Sequence, residues 1–211
     1  MANTQPTTKR PEPSALSALT SSATPQSAES ATSTQVLHNL QHQHLWTSLL
    51  THSIATPPPS STKIQPQFQS QSQTITLVSG IPPHRVYTHP DEQLWMLENG
   101  IREDDLRPER MFVIPTAHGQ AWSLGAMAAV FDELPGVAGG LVEYGRGEKG
   151  TEDDEMSRKL ARYYEKREAV RESKEWGSER LLLAMVDRGM GGDGTVAYYV
   201  VQEGEVKPRQ N

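Results

Sequence analysis

The pattern near the C-terminus constrains the fold of this chain more than any other feature. Two short apolar runs, residues 181–186 and 196–201, flank a loop that contains four glycines and two aspartates. Each run has the length of a strand, and the second is rich in β-branched and aromatic residues. Glycine and aspartate favour turns. The pattern therefore predicts a hairpin of two strands from the middle of a sheet.

Composition excludes several classes of protein. The chain has 211 residues, a formal net charge of −6 and no cysteine. Without cysteine there are no disulfides, thiolate zinc sites or cysteine nucleophiles. The negative charge argues against general binding of polyanions, so any RNA contact must be local or supplied by a partner. No apolar run approaches the roughly 20 residues of a membrane-spanning helix, and the first residues lack the apolar region of a signal peptide, so we expect neither feature.

The distribution of residue types predicts the domain organisation. Residues 1–34 are rich in Ser, Thr, Ala, Pro and Gln, and we expect a disordered tail because they bury too little apolar surface. A single α/β domain is predicted over residues 35–211. Within it we expect a Gln/Ser linker at 57–73 and a charged helical insertion at about 139–178.

Apolar spacing and breakers predict the elements of this domain. A helix is expected over residues 35–54 after a cap at Thr34, then a strand over 74–79, and the sequence allows another at 85–88. Further predictions are a helix at Pro90–Glu98, a strand at 111–114 ended by Pro115, and helices at 123–134 and 151–175. The last helix has a narrow apolar stripe, and we expect it to lie over or beside the domain. The order predicts a small mixed sheet with flanking helices.

Four histidines, at positions 38, 42, 44 and 52, fall in the predicted first helix. His38 and His42 have the i,i+4 spacing that places two ligands on one helical face. No carboxylate lies nearby in sequence, so partly exposed helix histidines are the better interpretation. We predict no metal site and no cofactor.

A second candidate site is the segment that contains Tyr87, His89 and Asp91. A tyrosine and a histidine together can perform acid–base chemistry. The order His-Pro-Asp is more typical of a turn that leads into a helix, and this is the interpretation we favour.

The hairpin residues LLLAMVD (181–187) and GTVAYYVV (194–201) resemble the tRNA-splicing endonuclease fold. The resemblance covers about residues 35–211 with gaps. More specifically, the chain is similar to the small non-catalytic "fifteen" subunit of the eukaryotic complex, in a fungal version. It implies an α/β domain like the C-terminal domain of these endonucleases, which is related to restriction endonucleases. The insertion and the Gln/Ser linker are additions to that pattern.

The resemblance also predicts that this chain is not an enzyme. Catalytic subunits of the family use a Tyr/His/Lys triad, and the Tyr–His part should lie at or just before the strand at 111–114. The segment NGIREDDLRPER stands there and contains neither residue. Glu179 and Arg180 stand where the lysine is expected. We therefore assign no catalytic residue.

The resemblance implies assembly with catalytic and structural subunits into a heterotetramer that acts on pre-tRNA. Subunits of the family pair tail to tail through their last strands, which places Tyr198, Tyr199, Val200, Val201 and Val206 in the subunit interface. The hairpin loop is expected to enter a basic pocket on the other half of the complex. The residues of this partner-binding loop are Asp187, Arg188, Gly191, Gly192, Asp193 and Gly194.

Two alternatives remain open from the sequence. One is a nuclease of the same fold with a relocated site at Tyr87 and His89. The other is a self-associating α/β module without an RNA role, and tail-to-tail pairing allows a homodimer in isolation. The family implies a nuclear location, with the cytoplasm or the mitochondrial surface as the alternative known in some fungi.

Overall fold

The structure is a computed structural model that describes residues 28–56, 73–134, 154–187, 189, 194–203 and 205–208. Most of the predicted tail, nearly all of the predicted 57–73 linker and residues 135–153 lie outside this part. Within the described ranges, none of the helices combines the length and the apolarity that a membrane crossing needs.

One mixed sheet organises the domain, and its strands follow each other in chain order. Neighbouring strands are antiparallel except for the third and fourth, which are parallel and therefore need a long crossover. The strands are β1 (Thr47–Thr56), β2 (Gln73–Ile81), β3 (Met111–Ala117), β4 (Arg180–Asp187), β5 (Thr195–Gln202) and β6 (Glu205–Pro208). The helices are α1 (Ala28–His42), α2 (Pro90–Glu98), α3 (Leu124–Asp132) and α4 (Asp154–Ser173), with a 3₁₀ turn at Glu103–Asp105. This is the predicted α/β class with a small mixed sheet.

Each face of the sheet is covered by a different helix. Val78, Val113 and Leu182 point to one face and pack against Val36 and Leu40 of α1. On the other face, residues one position along each strand pack against α3, because side chains alternate in a strand. That second group comprises Leu77, Ile114, Leu181 and Val201 from the sheet, with Val130 and Phe131 from α3.

A third apolar cluster joins α2 to α4 outside the sheet. Its buried members are Met96, Ile101, Leu106, Tyr163, Val170 and Trp176. The sequence predicted that the charged helix lies over or beside the domain on a narrow stripe. Tyr163 is nevertheless fully buried and Val170 nearly so. Helix α4 is thus part of a core. Its apolar stripe has few aliphatic residues, and large aromatic side chains supply most of the apolar surface that it buries.

The prediction of one helix over residues 35–54 is wrong in its second half. Helix α1 ends at His42, and the chain turns at Leu45, where φ is +56°. After the turn, the Trp46 amide donates to the Leu40 carbonyl oxygen at 2.9 Å, and β1 then pairs with β2. Helical spacing in this segment was misleading because pairing with a distant strand outweighed local preference.

Three further boundaries differ from prediction. Helix α1 begins at Ala28, so residues 28–34 of the predicted tail are helical, and Thr34 lies inside the helix rather than at its cap. Residues 85–88 form no regular strand. Strand β3 continues through Pro115, where it pairs with β4 alone, and a proline is tolerated on a side that has no strand neighbour.

Candidate functional site

The predicted hairpin is present, and the pairing of its two strands continues up to the acidic loop. Every residue from Arg180 to Asp187 pairs with one from Gln202 back to Thr195. The Asp187 carboxylate accepts a hydrogen bond from the Gly189 amide at 2.8 Å, as in an aspartate turn. Gly194 has φ +81°, a conformation that favours glycine. Asp187 therefore shapes the start of the loop.

The remaining predicted loop residues lie outside the described part of the chain. They are Arg188, Gly191, Gly192 and Asp193. Their proposed entry into a basic pocket stays a prediction.

Strand β5 divides its predicted interface residues between two faces. The Tyr198 hydroxyl donates to Asn39 of α1 at 2.6 Å, and the His44 ring meets the edge of the same tyrosine. Val200 and Val201 are buried within this chain, one on each face, while Tyr199 is half-buried.

The last strand of the sheet is β6 rather than β5. Val206 in β6 pairs with Val201, so β6 forms the C-terminal edge of the sheet among the described strands. The sequence had placed Val206 in the interface without predicting this strand. A partner that extends the sheet here would meet β6 first.

A buried network of charges lies beneath α4, and the sequence analysis missed it. Arg85 donates one bond to Glu92 and another to Glu109, both at 3.0 Å. The Tyr163 hydroxyl donates to the same Glu92 carboxylate at 2.5 Å. Arg167 donates to both oxygens of Glu109, at 2.6 Å for the Nη2–Oε2 bond. The network ties α2, α4 and the segment before β3 together.

Protonation in this network follows from burial and neighbouring charge. Burial alone would raise the pKa of Glu92, but Arg85, the Tyr163 hydroxyl and Arg167 together hold that pKa below its usual value. Burial raises the pKa of Tyr163 well above its ordinary range. Burial, and then the charge of Arg85, lower the pKa of Arg167 to about 10. At neutral pH the network therefore contains an ionised Glu92 and a protonated Tyr163, which acts as a donor and not as a base.

The residue pattern on the buried faces of α2 and α4 contained an indication of this network. Glu92 lies one turn before Met96 on the buried face of α2, and Arg167 lies one turn after Tyr163 on α4. A charged residue in the apolar stripe of each of two helices indicates pairing across their contact, because unpaired charges are seldom buried.

The position expected to hold a catalytic lysine is occupied by a confined arginine. The Arg180 guanidinium lies 4.8 Å from the centre of the Tyr87 ring and donates to the Trp176 carbonyl oxygen. Its Nε atom is buried without a hydrogen-bond partner among the described residues, and burial lowers the pKa of this arginine. Arg180 thus packs as part of the structure.

The predicted Tyr87/His89/Asp91 segment also has structural roles. His89 is the N-cap of α2, and its Nδ1 accepts from the Asp91 amide at 3.3 Å. Tyr87 lies under Arg180 and packs against the first core cluster. Its ring therefore supports a packed arginine, which agrees with the interpretation of this segment as a turn into a helix.

The N-terminal histidines do not converge. The His38 and His42 rings are 4.5 Å apart on α1, whereas His44 contacts Tyr198 and His52 bonds to Ser79 across β1 and β2 at 2.7 Å. Burial, and then Arg110, lower the pKa of His52. No group of three potential metal ligands occurs among the described residues.

These features define a small mixed-sheet, endonuclease-like α/β domain with a glycine-rich acidic hairpin. The chain is 31% identical over 179 residues to the Neurospora crassa protein named "Probable tRNA-splicing endonuclease subunit tsp-1". The match covers 83% of this chain and 64% of that relative, so the chain spans a little under two thirds of the relative's length. This similarity supports the tRNA-splicing endonuclease family, which the hairpin also resembles. No family model matches the chain, and no solved structure matches it.

Proposed function

We propose that this protein is a non-catalytic, structural subunit of a heterotetrameric tRNA-splicing endonuclease. It would hold a catalytic partner in register, use its C-terminal strands and acidic hairpin loop as contacts, and meet pre-tRNA only within the complex. A nuclear location goes with this proposal.

The observation that carries the proposal is the set of contacts that hold the Arg180 guanidinium. A catalytic lysine at this position would have to present a mobile cation to a phosphate. Arg180 instead stacks on Tyr87 and bonds to a backbone carbonyl. A half-buried guanidinium held by a ring and a backbone carbonyl is a packing element, because moving it into solvent would break these contacts.

Two neighbouring groups support the same conclusion. His89 caps α2 through its Nδ1 atom, and Tyr163 is held as a hydrogen-bond donor to Glu92. Both side chains therefore have structural partners within the domain. The competing hypothesis is a nuclease whose acid and base are His89 and Tyr87.

Cleavage assays with two conservative variants separate these hypotheses. His89→Asn removes the imidazole but keeps a side-chain acceptor for the Asp91 amide, since Asn is a good N-cap. Tyr87→Phe removes the hydroxyl but keeps the ring beneath Arg180. In a complex reconstituted with its partner subunits, we expect both variants to cleave pre-tRNA at the wild-type rate. We also expect no cleavage by the purified chain alone.

The opposite outcome has a clear signature. A loss of about 100-fold or more in cleavage by either variant, with assembly unchanged, would assign acid–base catalysis to this chain. Assembly is monitored by co-elution of all subunits, so that a defect in scaffolding is not mistaken for a defect in chemistry.

A further inference from the structure

Strand β1 forms the N-terminal edge of the sheet, opposite the C-terminal edge used in the proposed function. Among the described strands, β1 pairs with β2 alone, and its outer side meets no other strand. A strand at such an edge presents unpaired amide and carbonyl groups along its length. The edge therefore offers main-chain hydrogen bonds to another extended segment.

The sequence of β1 lacks the charged residues and prolines that usually block such pairing. The strand reads TSLLTHSIAT and contains no Lys, Arg, Asp, Glu or Pro. Edge strands are commonly protected by charges, prolines or covering elements. Thr51, Ser53 and Ala55 are exposed, and Leu50 leaves 51% of its surface exposed. The edge is thus long, neutral and accessible in the described structure.

We propose that β1 pairs with β1 of a second copy of this chain, antiparallel and around a twofold axis. The proposal goes beyond the proposed function and does not depend on it. An isologous contact of this kind requires a surface that is complementary to itself. A neutral strand meets this condition although the whole chain has a net charge of −6, because no like charges are brought opposite each other.

The irregularity in β1 fixes the register. The β1–β2 pairing is disturbed between Thr47 and Leu50, and Ser48 has φ +50°. The regular part runs from Leu50 to Thr56. A twofold axis pairs all seven of these positions only if it passes through their midpoint, Ser53. Ser53 then faces Ser53 of the other copy.

The remaining pairs in this register are compatible. His52 faces Ile54, and the lowered pKa of His52 keeps its ring neutral at physiological pH. Thr51 faces Ala55 on the other face of the sheet. Every pair therefore combines residues from the same face, as antiparallel pairing requires.

The association is expected to be weak. A single pair of short strands buries less than the roughly 1,200 Å² at the lower end of stable interfaces. The dimer should therefore depend on concentration, and it should leave β6 at the other edge accessible.

Cysteine cross-linking tests the register directly, because the natural chain contains no cysteine. In the full-length Ser53→Cys variant, the proposed axis places two thiols on opposed residues, whose Cα atoms are about 4.5–5.5 Å apart. This separation fits disulfide geometry. With copper–phenanthroline as oxidant we expect a disulfide-linked dimer on non-reducing gels.

Thr51→Cys is the matched control, since Thr51 is exposed on the same strand and the same face. In the proposed register the two Thr51 Cα atoms are four residues out of alignment, about 14 Å apart, which is too far for a disulfide. We expect at least about tenfold less cross-linked dimer from this variant. Equal yields from the two variants, or no dimer from Ser53→Cys, would overturn the proposal.

A Ser53→Lys variant tests the interface without oxidation. Two lysines opposed at the axis should repel, so sedimentation velocity over a concentration series should show a loss of about tenfold or more in self-association. A wild-type chain that stays monomeric throughout would also overturn the proposal. Unchanged association in Ser53→Lys would assign self-association to another surface, such as the C-terminal strands.

Discussion

A single carboxylate, Glu92, lies at the centre of the buried charge network. It is only 1% exposed, yet it is ionised because Arg85, Tyr163 and Arg167 surround it. Burying such a charge costs several kcal/mol, which the partners offset. The network therefore specifies how α2 and α4 meet, while its net contribution to stability depends on all members being present.

Replacing Glu92 with Gln should destabilise the domain by about 3 kcal/mol at neutral pH, because the buried Arg85 and the half-buried Arg167 side chains lose a counter-charge. The pKa of Glu92 is lowered in the folded state, so its charge stabilises the fold above the unfolded pKa of about 4.3. This contribution is lost as pH falls through the folded pKa. Urea unfolding of wild type and variant should show a difference that shrinks below about pH 4.

Glu98→Gln provides the control for this experiment, because Glu98 is exposed on the same helix. Its effect should stay within about 0.5 kcal/mol at every pH. Equal losses for the two variants, or a Glu92 effect independent of pH, would contradict the role assigned to the network.

Among the secondary-structure elements, those defined by local turn and capping residues were predicted correctly from the sequence. The hairpin, α2 and α3 agree with prediction because turn residues and caps define them, including the Ser123 side chain that accepts from the Ala126 amide. The boundary between α1 and β1 was not predicted, because residues 47–56 are extended through pairing with the distant β2. Likewise, a charged helix gave no local sign of its partner, Glu109, which lies more than fifty residues earlier.

Trp176 tests whether α4 is a core element or an appendage. It is 5% exposed, stacks at 19° on Tyr163 and lies 5.9 Å from the Trp95 ring. Trp176→Ala should cost about 3–5 kcal/mol in the free energy of unfolding, the range for large aromatic residues in cores. Chemical denaturation followed by far-UV circular dichroism measures this loss.

Leu97→Ala is the comparison variant, since Leu97 lies on α2 and is 69% exposed. A change within about 0.5 kcal/mol is expected there. A similarly small effect for Trp176→Ala would favour the prediction of a charged helical insertion, at about 139–178, that lies over or beside the domain.

The sheet formed by the described strands has two edges, and we propose different partners for these edges. Strand β6 forms the C-terminal edge, and β1 lies five positions away at the other end of the sheet. Most of the secondary structure could be predicted from the sequence, but the positions of β1 and β6 at opposite edges of the sheet could not. These positions depend on the strand order and on β6, a four-residue strand without a periodic pattern of its own.

Charge removal in the hairpin loop tests the assembly that the proposed function requires. Asp187→Ala would remove both the charge and the acceptor for the Gly189 amide, so a defect would be ambiguous. Asp187→Asn keeps an acceptor oxygen and removes only the charge. Combined with Asp193→Asn, it should weaken binding of the opposite half-complex by roughly 30-fold, because two anions are lost from a basic pocket.

Binding is measured between separately purified half-complexes, at low and at high salt. Asp132→Asn serves as the control, since it removes one exposed charge at the end of α3, outside the hairpin. It should bind like wild type. The loss in the double variant should shrink at high salt, because screening weakens the wild-type contact more than the uncharged one. Wild-type affinity in the double variant would refute the acidic-loop contact, while leaving the C-terminal strands as the surface through which this chain joins its catalytic partner.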